Sequence, residues 1–330
     1  MRAFNASSQT QLKGIALSTV KFGISFNTKF LNQANALVNV YLDGSVQVST
    51  GATEMGQGVN TKIAQLVADE LRIPYERVTV MITSTEKNNN TSASAASSAA
   101  DLNGSAAVDA AHKIRARLDE LESRIGKQET WKKLVKAAYH ERVSLGERGF
   151  YATPRLDWDW TSGQGTPFLY YTMGTACSEV LIDRFTGDLK VLRSDVLMDI
   201  GKPINPGIDR GQLVGAFIQG MGWVTTEDLR YDEKGVLLSH SPTTYKIPNI
   251  NDLPEIFNVD WIDVENPINV RGSKAVGEPP LLMALSVWCA VKNALQFLAN
   301  GDIARLKLPA TNEEILMRLT DYAKRGAAVA

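Results

Sequence analysis

Residues 37–42 and 45–49 alternate apolar with polar positions on either side of Asp43 and Gly44. Period-two alternation about an Asp-Gly pair predicts a β-hairpin. The period then lengthens. Ile63, Leu66, Val67 and Leu71 recur at helical spacing, predicting a helix over about 60–71, and 78–82 is again strand-like. A helix over 105–122 follows, carrying Lys113, Arg115, Arg117, Asp119 and Glu120 outward, and 129–141 predicts a basic amphipathic helix. The order then recurs. Residues 176–182 and 189–197 flank a turn at Thr186-Gly-Asp188, and a loop at 201–207 leads into a helix over 209–223. Two copies of hairpin, loop and helix predict an α+β fold of duplicated mixed-sheet-plus-helix units. The turn-rich stretch 146–165, with Trp158 and Trp160, is the expected linker, giving units at 1–150 and 151–330. Near the end, Thr311 and Glu314 have capping-box spacing before a surface helix, and 325–330 is expected to fray.

The segment of most chemical interest is Arg271-Gly-Ser-Lys-Ala-Val-Gly-Glu278-Pro-Pro-Leu281. Gly277 permits unusual dihedrals before Glu278, and Pro279 and Pro280 stiffen the exit. The apolar run 281–291 predicts a buried helix, so Glu278 stands at its mouth as a carboxylate expected to be poorly hydrated. Desolvation favours the protonated form, which suits a general base; a Glu serving the helix dipole is the plainer alternative. Three further segments combine small and amide residues near expected helix starts: 50–58 with Gly56-Gln57-Gly58, the Ser/Ala run within 90–104, and 215–222 around Gln219. Backbone amides, hydroxyls and little side-chain bulk suit a flat ring with an anionic tail at a helix N-terminus. A turn and a flexible linker would use the same residues.

Composition narrows the field. The 330 residues are 44% hydrophobic, enough for one large core or two ordinary domains. Lys plus Arg number 35 against 36 Asp plus Glu, which favours neither nucleic acid nor an anionic membrane as partner. No apolar run approaches a membrane span or a signal-peptide core, so a soluble, cytoplasmic protein is expected. Cys177 and Cys289 are far apart, and His112, His140 and His240 lack ligand spacing, so no iron–sulfur cluster or thiolate zinc site is expected here. Any redox metal would arrive inside an organic cofactor.

Taken in order with Lys21-Phe-Gly-Ile-Ser-Phe26 and Thr243-Thr-Tyr-Lys-Ile-Pro248, these segments resemble the xanthine dehydrogenase family of molybdenum hydroxylases. The likeness is to the C-terminal half of its large molybdopterin-binding region and runs over nearly the whole chain. It implies a molybdenum–molybdopterin cofactor contacted by Met55, Gly56, Gln57, Ser94, Ala96, Ser97 and Ser98, with Gln219 donating to an oxygen ligand of the metal. It makes Glu278 the catalytic base, taking the proton of the hydroxyl that attacks the substrate carbon. Phe26 would stack on a purine ring beside Asn27, with Ala95 and Ala96 as the opposing wall. Asn27 stands where the family commonly has Thr, Ala93 where it has Pro, Ser94 where it has Thr, and Ala52 where it has Gly. The front half of the molybdenum domain, which carries further substrate and pterin contacts, is expected on a separate polypeptide or on another domain of a longer protein. So are the iron–sulfur clusters and FAD. The chain alone is expected to be inactive, and oligomeric when assembled. An aldehyde oxidoreductase, or a non-catalytic half-domain acting as scaffold or cofactor-insertion partner, stays open at this point.

Overall fold

Asp43 Oδ1 accepts from the amide and hydroxyl of Ser45, closing the first hairpin locally where the Asp-Gly pair predicts it. The structure, a computed structural model, describes residues 1–24, 26–299 and 301–329, with side chains through Lys324. In chain order its elements are α1 (Arg2–Ser7), β1 (Gln11–Ile24), β2 (Gln33–Val40), β3 (Val46–Thr50), α2 (Val59–Leu71), β4 (Val78–Val80), α3 (Ala99–Ile125), α4 (Trp131–His140), β5 (Gly146–Ala152), β6 (Asp157–Asp159), β7 (Gln164–Thr166), β8 (Tyr170–Asp183), β9 (Leu189–Asp199), α5 (Pro206–Thr225), β10 (Ile256–Ile262), α6 (Pro279–Met283), α7 (Leu285–Gln296) and α8 (Asn312–Val329). The side chains of the expected frayed end, 325–330, lie outside the described residues.

Two four-stranded mixed sheets carry the fold, in the orders β4-β3-β2-β5 and β1-β8-β9-β10. They share one plan. An antiparallel hairpin sits at the centre, β2-β3 in one and β8-β9 in the other. The second hairpin strand is followed by a crossover helix, α2 or α5, and then by a parallel edge strand, β4 or β10. An antiparallel strand, β5 or β1, closes the other edge. A further helix lies on that strand, α3 on β5 and α7 on β1. Gly149 of β5 lets α3 approach, since a Cβ there would meet the carbonyl oxygen of Ala106 at 1.9 Å. Gly14 of β1 does the same for α7, where a Cβ would lie 2.0 Å from the carbonyl oxygen of Ala290. The fold is therefore mixed α+β and internally duplicated.

One strand departs from the division near residue 150. β1 pairs along its full length with β8, from Gln11 opposite Asp183 to Ile24 opposite Tyr170, so residues 11–24 belong to the second sheet. The helix expected over 281–291 is broken at Ala284 into α6 and α7. The capping box before α8 is half made. Thr311 Oγ1 accepts from Glu314 N, but the Glu314 carboxylate turns to Lys307 N and Arg318.

Each sheet has its own apolar core: Ala34, Val38, Val48, Ile63 and Ile114 in the first, Leu12, Val180, Met198, Phe217 and Val287 in the second. The units meet through the starts of α2 and α5, where Lys62 Nζ bonds Asp209 and Asn205 Nδ2 donates to Gln65 Oε1 at 3.0 Å.

Candidate functional site

Between the two units lies an open cleft of about 260 Å³, lined from the first by the segments before and at the start of α2 and α3, and from the second by the 200–212 and 273–278 segments. Its walls are small or apolar, including Val59, Ala95, Ala96, Ala99, Ile200, Pro203 and Val276. Set among them are polar groups from both units. Of the residues the sequence singled out, Met55, Gln57, Ser94, Ala95, Ala96, Ser97 and Glu278 line this cleft.

A paired polar contact across the cleft joins Ser97 to Glu278. Ser97 Oγ donates to Glu278 Oε2 at 3.0 Å and accepts from the Glu278 amide at 2.8 Å. Ala96 and Ser97 reach this position in the left-handed region, each at φ 54°. Side chains with a Cβ pay roughly 1–2 kcal/mol there, so the local strain is held by surrounding contacts. Gly277 keeps the approach open, since a Cβ on it would lie 3.1 Å from Ser97 Oγ.

Glu278 corrects one expectation. Its side chain is exposed at the rim of the cleft rather than dehydrated against the helix that follows. The helix buries Pro279, Pro280 and Met283, and among the described residues the Glu278 side chain stays exposed.

The loop before α2 is closed on itself. Gln57 Oε1 accepts from Met55 N at 2.6 Å, and its Nε2 donates to Thr53 O at 2.8 Å. Glu54 accepts from the amides of Gly56, Gly58 and Asn60, at 2.9, 2.9 and 3.0 Å. Partial burial opposes the ionised form of Glu54, and these amides outweigh it, holding the carboxyl below its ordinary value. The α2 N-terminus expected to take an anion is thus filled by the chain's own carboxylate. The start of α5 is filled likewise: Asn205 Oδ1 accepts from Ile208 N and Asp209 Oδ2 from Asn205 N. The start of α3 differs. Ser98 at its N-cap makes no capping bond, its hydroxyl donating instead to Ala95 O, and Ala99, Ala100 and Asp101 of the first turn line the cleft.

Five expected contacts lie off the cleft lining. Gly56 has open space about it, and Ser98 is buried beneath the loop. Phe26 and Asn27 lie just past β1 in a turn held by Asn32, whose Oδ1 accepts from Phe26 N and whose Nδ2 donates to Phe26 O. Phe26 is half-buried and Asn27 exposed. Gln219 is exposed in the second half of α5. Seven residues before it, on nearly the same helix face, Gln212 lines the cleft. The two are about 10 Å apart along the axis, and the cleft reaches only the first turns of α5. Gly220 and Gly222 beside Gln219 serve packing: a Cβ on Gly220 would meet the Leu281 carbonyl oxygen at 2.2 Å.

Sequence reasoning missed the charged floor. Lys62 and Asp209 form a buried ion pair, and Lys274 pairs with Asp199 at 2.5 Å. Asp101 is buried, and burial pushes its carboxyl up from 3.8 to about 6 against the pull of Tyr170, Asn269 and Lys62. Tyr170 Oη donates to Asp101 Oδ2 at 2.5 Å and accepts from Ala275 N at 3.0 Å. Burial, then the charge of Asp101, drives the Tyr170 hydroxyl well above its ordinary value. The available signal was a charged residue on an apolar helix stripe: Lys62 stands one turn before Leu66 on α2.

Residues 1–254 match the family described as molybdopterin cofactor-binding domain. A xanthine dehydrogenase of Oryza sativa subsp. japonica is 44% identical over 339 residues, covering 99% of this chain and 25% of that protein. One from Dictyostelium discoideum is 46% identical over 313 residues, covering 94% and 22%. The chain thus spans about a quarter of the length of the curated relatives it matches. Among solved structures, quinoline 2-oxidoreductase from Pseudomonas putida 86 superposes with a TM-score of 0.83 at 23% identity, covering 97% of this chain and 43% of that one. Aldehyde oxidoreductase from Desulfovibrio gigas superposes at 0.81 and 23% identity, covering 97% and 34%. At that identity the likeness is one of fold.

Proposed function

We propose that this chain, which belongs to the molybdopterin cofactor-binding domain family, forms one wall of the catalytic centre of a xanthine dehydrogenase-type molybdenum hydroxylase acting on a purine such as hypoxanthine or xanthine. The observation that carries the reading is the Ser97–Glu278 clasp across a cleft lined by small residues, joining the two units at their helix starts. The cleft fits one face of a flat, polar ring system. Ala95, Ala96 and Gly277 leave room, while Gln57, Ser94 and Gln212 offer hydrogen-bonding groups and the uncapped first turn of α3 offers amides to an anionic tail. When bound, molybdenum–molybdopterin would supply the two-electron acceptor of a hydroxylation whose oxygen comes from water, with iron–sulfur and flavin centres on other domains or chains taking the electrons onward.

Glu278 is the base in this reading. Ser97 occupies Oε2, which fixes the carboxylate plane and leaves Oε1 to accept the proton of the attacking oxygen. The relatives are named xanthine dehydrogenases, and the aldehyde oxidoreductase shares fold alone, so the purine reading follows the sequence relatives. Gln219 has no role in it, and Gln212 takes the amide contact instead.

The test is co-expression with polypeptide equivalent to the rest of the relatives. Molybdenum should be scarce in the chain purified alone and present in the complex, which should oxidise xanthine in preference to an aldehyde. Glu278→Gln should then lower kcat by about 10²–10⁴ at normal molybdenum content. A loss under tenfold removes Glu278 from the chemistry, and preferential oxidation of an aldehyde removes the purine.

A further inference from the structure

We propose that Asp101 and Tyr170 are positioning residues for Glu278, fixing the loop that carries it at the end opposite the Ser97 clasp. The loop 273–278 is tied at two points to the same helix start. Ser97, just before α3, holds the Glu278 amide and carboxylate. Three residues upstream, the Ala275 amide donates to Tyr170 Oη, which donates in turn to Asp101 in the first turn of α3. The Ala275 carbonyl is held as well, accepting from Thr172 Oγ1 at 3.2 Å. All four groups of this chain of contacts, on Asp101, Tyr170, Thr172 and Ala275, are buried. Only Val276 and Gly277 separate Ala275 from Glu278, so a shift at one end is passed to the other with little slack.

The arrangement assigns each group a distinct task. A tyrosine hydroxyl both donates and accepts, and on its own could turn either way. Asp101 accepts the Tyr170 proton and so aims the hydroxyl lone pair at the Ala275 amide. A buried carboxyl is costly, whereas an apolar residue would fill the same volume without that cost. Its contribution here is direction.

The inference rests on reading Glu278 as the base, but its decisive measurement does not. Amide hydrogen exchange of the full chain compares loop 273–278 with strands β8 and β9 in Tyr170→Phe, Asp101→Ala and Asp101→Asn. Tyr170→Phe and Asp101→Ala should speed exchange at Ala275 by about tenfold while the strands keep their protection. Asp101→Asn retains an acceptor and should stay within about threefold of the parent. In the assembled enzyme Tyr170→Phe should lower kcat by about tenfold with KM unchanged. Exchange unaltered in Tyr170→Phe, or accelerated equally throughout the chain, overturns the positioning role. Should Asp101→Ala fail to fold, Tyr170→Phe, which removes a single oxygen, still decides. Failure of the base assignment would show separately, as undiminished turnover in Glu278→Gln with the exchange pattern intact.

Discussion

The two units are built alike but finished differently. Each sets a helix on an outer strand through a single glycine, and each brings its crossover helix start to the shared cleft. Their outer sheet faces part company. In the first unit that face carries Gln33, Asn35, Asn39, Gln47 and Arg148 together with Leu37 and Phe150, and Arg148 donates to Asn35 at 3.2 Å. In the second it carries Ile15, Leu17, Met173 and Leu197, exposed by 45, 62, 50 and 41%, beside the Lys13–Glu179 and Arg193–Asp195 ion pairs. The second face thus exposes more aliphatic surface than the first, between its ion pairs. The helix starts differ by the same logic. Those of α2 and α5 are sealed by Glu54 and by Asn205 with Asp209, while the start of α3 is left free of a side-chain cap at the cleft. Architecture is duplicated, whereas the side-chain sealing of the helix starts is not.

The equivalence of the units is broken most severely at their glycines. Gly14→Ala and Gly149→Ala each drive a methyl into a helix backbone, and each should lower stability by about 3 kcal/mol or more in denaturant unfolding. Gly211→Ala on α5 meets nothing within 4 Å and should be neutral or slightly stabilising. If only one of the first pair is costly, the packing analogy fails.

The buried carboxyl gives a pH-dependent contrast, since the second unit supplies Tyr170 while Asp101 belongs to the first. Facing Asp101 are Lys62 of α2, with Asp209 of α5 paired behind it, and Tyr151 and Tyr170. Because the folded value is raised from 3.8 to about 6, the native state binds the extra proton between those values. Stability from this group is therefore present at low pH and lost as pH rises through about 6. Asp101→Asn should remove that decline and gain roughly 3 kcal/mol by pH 7 relative to the parent. Parallel stability–pH curves for parent and variant over this range would contradict the burial argument.

Helix sealing is the next smaller effect. Glu54→Ala frees three amides at the α2 start and Asn205→Ala one at α5, and each should cost about 1 kcal/mol. Differential scanning calorimetry would separate them from Glu278→Ala, which caps no amide in its own helix. The smallest effect belongs to the outer face. Leu17→Lys should change stability by less than about 0.5 kcal/mol while reducing self-association of the isolated chain in sedimentation. A large stability loss would mean that Leu17 is packed rather than exposed.

Much of this was legible in the residues. The Asp43-Gly44 turn, the α2 stripe and the second hairpin follow from contacts within a few positions, so local chemistry announced them. β1 was missed although it runs 14 residues, because apolar side chains occupy both its faces and blur the period of two. Its partner lies far along the chain, from Leu12 opposite Ile182, 170 residues on, to Ile24 opposite Tyr170, 146 residues on. In the site, Ser97 and Glu278 were named separately, but nothing along the chain joins them.

By itself the sequence determined the types of the clearly periodic elements, the duplicated plan and the kinds of groups available for chemistry, since these depend on periodicity and local turn geometry. β1 and the strands β5, β6 and β7 within the expected linker escaped it. Only the tertiary structure decided that β1 closes the second sheet, that Gln212 rather than Gln219 reaches the cleft, and that Glu54 fills the α2 start. It also decided that Glu278 stands exposed at a rim while Asp101 lies buried behind it. Helical spacing tells which face a residue shares but not how far along the axis the neighbouring unit extends. Burial depends on what packs from elsewhere in the chain, and that is set by the closing of the two sheets around their cores.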